Sequence, residues 1–351
     1  MNKTIKIANK IIGKNYKPFV IAEISANHNQ SLEKALELVH LAAESGVDAI
    51  KIQTYTPDTM TLDIKDNEFL IQDKKSLWFG RTLYDLYTEA YMPWEWHESI
   101  FKKANELGLI AFSTPFDESA VDFLESLNVP CYKVASFENT DIRLIKKIAQ
   151  TGKPIIISTG MASLNEIKES LDTAKIHGCN NVILLKCTST YPASPKDSNL
   201  ITISDMENEF NCLIGLSDHT LGIGVSIASI ALGGVLIEKH FTKARCEGGP
   251  DSSFSMEPDE MKLLCNEISH AYDSLGKITY GGTKNEKNSR LYRRSLYIVK
   301  DLKKGDRVIE DSIRAIRPGL GLPIKNFDDI LGKIAKKDIK KGTACSWDLF
   351  E

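Results

Sequence analysis

A (β/α)₈ TIM barrel followed by a small C-terminal domain is the α/β architecture that this 351-residue chain predicts. Three observations predict it. Eight short, near-continuous apolar runs alternate with longer segments of helical periodicity, the pattern of a parallel sheet covered on both faces. Those eight units lie within residues 1–276, close to the usual barrel length of about 250 residues. No Gly-x-Gly-x-x-Gly turn follows the first run, which argues against an open dinucleotide-binding sheet.

The elements follow in order. Thr4–Ile12 reads as a short hairpin able to cap the bottom of the barrel. The eight runs are Phe19–Ser25, Ala49–Thr54, Leu109–Thr114, Cys131–Ser136, Pro154–Thr159, Val182–Thr188, Leu213–Asp218 and Val235–Phe241. Between them, segments such as Ser31–Ser45, Pro93–Leu107, Glu118–Leu127, Ile142–Gln150 and Leu164–His177 carry apolar residues at helical spacing. Ser31 and Ser163 stand where helix N-caps are wanted. The stretch from Tyr55 to Met92 is too long for an ordinary βα loop and is rich in aromatics: Phe69, Trp78, Phe79, Tyr84, Tyr87 and Tyr91. Above a barrel mouth such rings either stack on a sugar face or pin the segment down.

Near Lys277 the pattern changes. Residues 277–290, with Gly281, Gly282 and the polar run Thr283 to Asn288, read as a linker to a domain spanning 291–351. That tail repeats itself: Asp301-Leu-Lys-Lys-Gly305 recurs as Asp338-Ile-Lys-Lys-Gly342, and Asp311 recurs as Asp348. Two similar halves predict a quasi-symmetric, largely irregular or β module. So small a unit buries little surface alone, and docking on a partner subunit would complete it.

Composition narrows the function classes. Hydrophobic residues at 42% and charged residues at 26% are globular proportions. Forty-four Lys and Arg against 47 Asp and Glu give a net charge of −3, without the basic footprint of a nucleic-acid binder. No apolar stretch approaches the ~20 residues of a membrane span, and Met1 to Lys10 has no apolar signal core. A cytoplasmic, membrane-free protein is the expectation. The seven cysteines include no Cys-x-x-Cys pair, so neither a disulfide framework nor a thiolate zinc site is indicated.

The ends of the strands, where barrel enzymes place their chemistry, are unusually polar. They carry Glu23 and Ser25, Lys51 and Gln53, Ser113 and Thr114, Lys133 and Ser136, Ser158 and Thr159, Lys186, Ser217 to His219, and Glu238 to His240. His219 and His240 end the seventh and eighth runs, which neighbour each other in a closed barrel. Two imidazoles there suit a weak, oxygen-completed Mn²⁺ or Mg²⁺ site better than structural zinc. Asp251 could add a carboxylate from the following loop. Lys51, Lys133 and Lys186 among hydroxyls suit a phosphate or carboxylate ligand, while a desolvated lysine could instead form a Schiff base.

Those same residues carry a resemblance. The runs Ile21-Ala-Glu-Ile-Ser-Ala-Asn-His28, Lys51-Ile-Gln-Thr, Ser113-Thr-Pro-Phe116, Tyr132-Lys-Val-Ala-Ser136, Ile157-Ser-Thr-Gly-Met161, Gly215-Leu-Ser-Asp-His-Thr220 and Glu238-Lys-His-Phe241 resemble the sialic acid synthase family. In the tail, Ile316-Arg-Pro-Gly-Leu-Gly321 resembles that family's antifreeze-like (SAF) domain. The insertion Ser76-Leu-Trp-Phe-Gly-Arg-Thr-Leu-Tyr-Asp-Leu-Tyr87, with Pro93-Trp-Glu-Trp96, is similar to the pseudaminic acid synthase branch.

The resemblance implies condensation of phosphoenolpyruvate with an open-chain amino-sugar aldehyde, giving a nine-carbon 2-keto acid and phosphate. It implies that Lys51, Thr114, Lys133, Ser136, Ser158, Ser189 and Ser217 hold phosphoenolpyruvate and that His219 and His240 ligate the metal. Glu23, Gln53, Tyr191 and Asp251 would contact sugar or metal-bound water, and Glu138 would serve in proton transfer. Arg317 resembles an arginine that enters the neighbouring subunit of a domain-swapped homodimer to touch the sugar's acyl group. Ser189 departs from the Asn that the sialic acid branch tends to carry, which leaves the contact at that strand open. Pseudaminic acid synthesis from 2,4-diacetamido-2,4,6-trideoxy-L-altrose is the reading; sialic or legionaminic acid synthesis, a Schiff-base aldolase and a non-catalytic sugar-phosphate binder are its alternatives.

Overall fold

A computed structural model of the chain describes residues 3–351. It divides into two compact units, Met1–Gly276 and Lys277–Glu351. In the first, strands β1 (Thr4–Ile7) and β2 (Lys10–Gly13) form an antiparallel hairpin. Then β3 (Phe19–Glu23), α1 (Leu32–Glu44), β4 (Ala49–Thr54), the single turn α2 (Pro57–Met60), α3 (Leu83–Ala90) and α4 (His97–Glu106) follow. The alternation continues through β5 (Ile110–Pro115), α5 (Glu118–Ser126), β6 (Tyr132–Val134), α6 (Ile142–Ala149), β7 (Ile155–Ser158), α7 (Leu164–Ile176) and β8 (Val182–Cys187). It ends with α8 (Thr202–Phe210), β9 (Leu213–Ser217), α9 (Gly224–Ala231), β10 (Leu236–His240) and α10 (Pro258–Leu275).

Strands β3 to β10 close into one parallel barrel, with β10 paired to both β9 and β3. The expected eight-stranded barrel is therefore the observed one. The predicted caps form as well: Ser31 accepts from the Lys34 N–H, and Ser163 makes a reciprocal capping box with Glu166. Helices α8, α9 and α10 complete the outer ring.

Side chains alternate between two faces along each strand. Outward residues such as Val20, Ile50, Val134, Ile157, Leu184 and Ile237 join the helices in the main core. Inward residues Phe19, Ile21, Ala49, Ile110, Phe112, Ile156, Ile183, Leu185, Leu213 and Leu236 form a second cluster. Ile5, Ile7 and Ile12 of the hairpin belong to that cluster, so β1 and β2 plug the N-terminal end of the lumen, as the hairpin pattern predicts. The barrel is filled below and polar above. That division positions the site.

The second unit has its own core of Leu296, Ile298, Leu302, Val308, Ile313, Ile330, Ile339, Leu349 and Phe350. Its antiparallel strands are β11 (Ser295–Ile298) and β12 (Ile313–Ile316), with the turn α11 (Phe327–Ile330) after them. The sequence repeat appears as reciprocal contacts. Lys303 pairs with Asp338 at 3.0 Å and Lys340 with Asp301 at 3.1 Å, while Leu302 and Ile339 exchange backbone hydrogen bonds.

Candidate active site

The alternation that fills the lumen below delivers polar groups at the next inward level. Register places Glu23 beside Lys51 on β3 and β4, and His240 beside Glu23 across β10 and β3. A cavity of about 320 Å³ opens above this level at the C-terminal ends of the strands. Lys51, Gln53, Thr114, Lys133, Ser136, Glu138, Ser158, Tyr191, Ser217, His219, His240 and Asp251 all line it.

Its floor is a compensated charge cluster. Lys51 is ion-paired with Glu23 and donates to Thr114 Oγ1 at 2.9 Å. Lys133 donates to Ser158 Oγ at 2.7 Å and lies 3.8 Å from Glu238, which accepts from Ser217 Oγ at 3.2 Å. All four charged groups are buried. Burial, with the Glu238 charge adding to it, pushes the Glu23 carboxyl up to about 7 against the pull of Lys51. Burial acts on Glu238 in the same direction, but Lys133 and Lys51 overturn it and hold that carboxyl below the usual range. Burial, reinforced by the neighbouring Lys51 charge, pulls Lys133 down from the ordinary lysine value. One oxygen each of Glu138 and Glu238 is buried without a hydrogen-bond partner, so the cavity keeps acceptors in reserve.

The two histidines meet as their neighbouring strand ends require, with ring centroids 5.4 Å apart. His219 Nδ1 lies 2.9 Å from the Thr188 carbonyl, which places a proton on Nδ1, so that Nε2 is the nitrogen a neutral ring would offer to a metal. His240 Nδ1 is buried without a hydrogen-bond partner; Asp251 Oδ2 is 3.8 Å away and is itself held by Ser25. Burial and the nearby His219 push His240 well below the usual histidine range, toward the neutral form that binds metals. Among the described residues no group of three or more His, Cys, Asp or Glu side chains is arranged to hold a metal ion. The donor set thus fits a divalent cation bound by two imidazoles and completed by water and substrate oxygens, and it does not fit a closed structural site.

Several polar strand-end residues face the helices, away from the mouth that their positions suggested. Lys186 sits between Leu185 and Cys187, so it points outward, and its Nζ donates to the Cys187 carbonyl at 2.8 Å. Ser113 bonds Thr54, which bonds His97 Nε2 at 2.8 Å, and burial brings that imidazole down to about 4. Thr159 donates to the Leu185 carbonyl at 3.0 Å. Asp218 and Lys239 form a buried pair at 3.0 Å, behind the two histidines. Lys239 also donates to the Thr220 and Gly222 carbonyls, and Asp218 accepts from Thr220 and Ser226. The physical reason is the same in each case: one residue along a strand reverses the face.

Three residues to which the motifs give roles lie off the cavity lining. Glu23 is beneath it, behind Lys51. Ser189 stands beside Gly160 and Cys187, with its Oγ 3.7 Å from Cys187 Sγ. A Cβ on Gly160 would collide with Ser189 Oγ and lie 2.8 Å from Ser136 Oγ, so only glycine fits there. Arg317 is exposed just past the end of β12 in the second unit. Of the six insertion aromatics, Trp78 and Tyr87 line the cavity. Trp78 packs 6.0 Å from Tyr191 and donates to the Pro250 carbonyl at 3.1 Å, while Tyr84 donates to Asp58 and so ties α3 to α2 within the segment.

Known proteins share this organisation. The NeuB family profile matches residues 38–280 and the SAF domain profile residues 293–351. The chain belongs to the NeuB family. Its NeuB-family relatives include the pseudaminic acid synthase of Helicobacter pylori, 42% identical over 335 residues, covering 95% of this chain and 98% of that one. The N,N'-diacetyllegionaminic acid synthase of Legionella pneumophila is 38% identical, covering 95% and 94%. Among solved structures, the N-acetylneuraminic acid synthetase of Leptospira borgpetersenii in complex with citrate superposes with a TM-score of 0.73 at 29% identity, covering 82% of this chain and 94% of that one.

Glu238 and Cys187 line the cavity of this NeuB-family chain without a role assigned by the sequence motifs. Glu238 is visible in the sequence as a polar strand end, and its inward parity with His240 is the available signal. Cys187 looks, from sequence, like one more buried thiol. In the fold it lines the cavity 4.0 Å from His219 Nδ1. Burial disfavours its thiolate, yet contacts with His219, Ser136 and Ser189 bring it down to about 7.

Proposed function

We propose that the chain condenses phosphoenolpyruvate with 2,4-diacetamido-2,4,6-trideoxy-L-altrose to give pseudaminic acid and phosphate, as a cytoplasmic enzyme. The observation that carries this reading is the pairing, in one cavity, of a two-lysine, hydroxyl-rich floor with two converging imidazoles. The higher identity to the pseudaminic than to the legionaminic acid synthase supports the branch.

In this reading Lys51 and Lys133 hold the phosphate and carboxylate of phosphoenolpyruvate, and the hydroxyls of Thr114, Ser136, Ser158 and Ser217 donate to them. The departure at Ser189 leaves that hydroxyl beside Gly160 as a further donor at the rim. The enol carbon is thereby aimed at the sugar aldehyde, with Gln53, Tyr191 and Asp251 orienting the sugar. A divalent cation, Mn²⁺ or Mg²⁺, held by His219 and His240 supplies Lewis-acid polarisation when bound. Carbon–carbon bond formation leaves a cationic centre at the former enol carbon, facing Glu238 in the cavity lining, with Glu23 beneath it behind Lys51. Water adds there, and Glu138 accepts its proton and passes it to the sugar alkoxide, which becomes the new hydroxyl. The adduct then collapses to the 2-keto acid, its remaining hydroxyl proton leaving with phosphate. Arg317 of a second subunit in a domain-swapped homodimer completes the sugar site through the acyl carbonyl.

Competition between the 2,4-diacetamido-6-deoxy hexose and N-acetylmannosamine, each with phosphoenolpyruvate and Mn²⁺, tests the assignment. Preference for the deoxy sugar is expected. Preference for N-acetylmannosamine would place the chain in the sialic acid branch.

The role of Glu138 has a pH signature. Burial pushes its carboxyl up to about 7. A base must be ionised to accept a proton, so kcat/KM should climb with pH through about 7. Glu138→Gln should remove that limb and lower kcat by roughly 10²-fold or more. Lys133→Ala should instead raise KM for phosphoenolpyruvate by roughly 10- to 100-fold, the loss of one buried charged hydrogen bond. Unchanged pH–rate profiles and KM in the two variants would contradict both roles.

A further inference from the structure

The cavity has two chemically different sides. The strand ends and the loops after β6, β8 and β10 carry the lysines, glutamates, hydroxyls and imidazoles. The wall supplied by the long segment after β4 is apolar: Met60 from α2, and Leu86 and Ala90 from α3, with Tyr55 and Phe116 also in the lining. Tyr55 packs edge-on against both Tyr87 and Phe116, at 5.8 Å and 5.1 Å between ring centroids. From residues 56–90 the cavity receives no charged side chain and no amide or aliphatic hydroxyl. Trp78 and Tyr87 alone bring an N–H or O–H, and the Trp78 N–H already serves the Pro250 carbonyl.

This wall is fixed in place by the barrel itself. Gln30, in the loop after β3, donates to the carbonyls of Glu89 and Tyr91 at 3.0 Å and 2.6 Å, so the C-terminal end of α3 is tied down. Thr82 caps the other end by accepting from the Asp85 N–H. Leu86 of α3 is 7% exposed. A pre-built apolar surface accepts a methyl group without cost, and the side chains of Met60, Leu86 and Ala90 offer a hydroxyl no partner.

An aldehyde carbon placed over the phosphoenolpyruvate floor and beside the two imidazoles lets the rest of the sugar chain reach this apolar lining of the same cavity. The distal carbon then meets Met60, Leu86 and Ala90. We propose that these three residues determine specificity by selecting a methyl over a hydroxymethyl group at the end of the sugar chain. The proposal rests on the condensation reaction proposed above and names the residues that would set its substrate class.

The test uses two sugars that differ by one hydroxyl: the 2,4-diacetamido-6-deoxy hexose and its 6-hydroxy counterpart. The wild type is expected to favour the deoxy sugar in kcat/KM by up to about 10²-fold, the limit for an apolar pocket facing an added hydroxyl. Met60→Gln and Ala90→Ser each put a hydrogen-bonding group on the wall and should cut that preference by roughly tenfold. Met60→Leu keeps the wall apolar and should keep the preference. The change should fall on the ratio between sugars, with KM for phosphoenolpyruvate the same in all three variants. A preference that survives intact in both polar variants, or a wild type that uses the two sugars equally, overturns the assignment of the wall. A wild type that condenses neither of them but accepts N-acetylmannosamine overturns the functional reading itself.

Discussion

Chelation of divalent cations is expected to abolish condensation, and added Mn²⁺ or Mg²⁺ to restore it. The expectation rests on His219 and His240, whose rings stand 5.4 Å apart at neighbouring strand ends, and on the buried His240 Nδ1 that no protein group satisfies. A buried nitrogen without a partner costs stability unless a ligand meets it. His219→Ala and His240→Ala should each lower turnover by about 10²-fold or more, since losing a group that only orients a metal ligand already reaches that size. Both should also weaken Mn²⁺ binding measured directly by electron paramagnetic resonance, a readout independent of turnover. Full activity in excess chelator would refute the metal reading. Borohydride trapping of a covalent adduct on Lys133 would replace it with the Schiff-base aldolase, the chemistry to which a desolvated lysine is suited.

Mixing two inactive variants should recover activity. Arg317→Ala subunits lack the finger, and Lys133→Ala subunits, assayed at phosphoenolpyruvate well below their raised KM, lack a working barrel. If Arg317 acts in a neighbouring subunit, a mixed dimer retains one barrel complete with an intact finger. Random reassociation should then restore about a quarter of wild-type activity, because half of the dimers are mixed and one of their two sites is whole. A guanidinium suits this contact because it stays charged and presents several donors to an acetamido carbonyl. Mixed dimers as inactive as their parents would show that Arg317 acts within its own chain or not at all.

The barrel is legible in the sequence because its signal is redundant. Each of the eight runs is apolar on both faces at its lower end, and a chain with eight such runs separated by helical segments has few ways to bury them. The hairpin, the caps at Ser31 and Ser163 and the reciprocal halves of the tail are legible for a related reason, since each is a local pattern read within a few residues. Family motifs then name most of the cavity residues. The motif at Glu238-Lys-His240 shows the limit of such motifs. It marks three polar residues in a row without saying that the middle one turns away, and Lys186 is misleading on the same account.

Sequence by itself determined the eightfold βα order, the polar character of the strand ends and the resemblance to one family. These depend on spacing along the chain, which is local information. Tertiary structure decided which of the polar residues act together. Closing the barrel brought β10 against β3, so Glu238, from the last strand, joined Glu23, Lys51 and Lys133 from the first half of the barrel in one charge cluster. It set Lys239 and Asp218 back to back with the two histidines, exposed Cys187 to the cavity, and turned the segment after β4 into an apolar wall. The physical reason is parity and closure: a side chain's face is set by where its strand begins, and its partners by which strands the sheet joins.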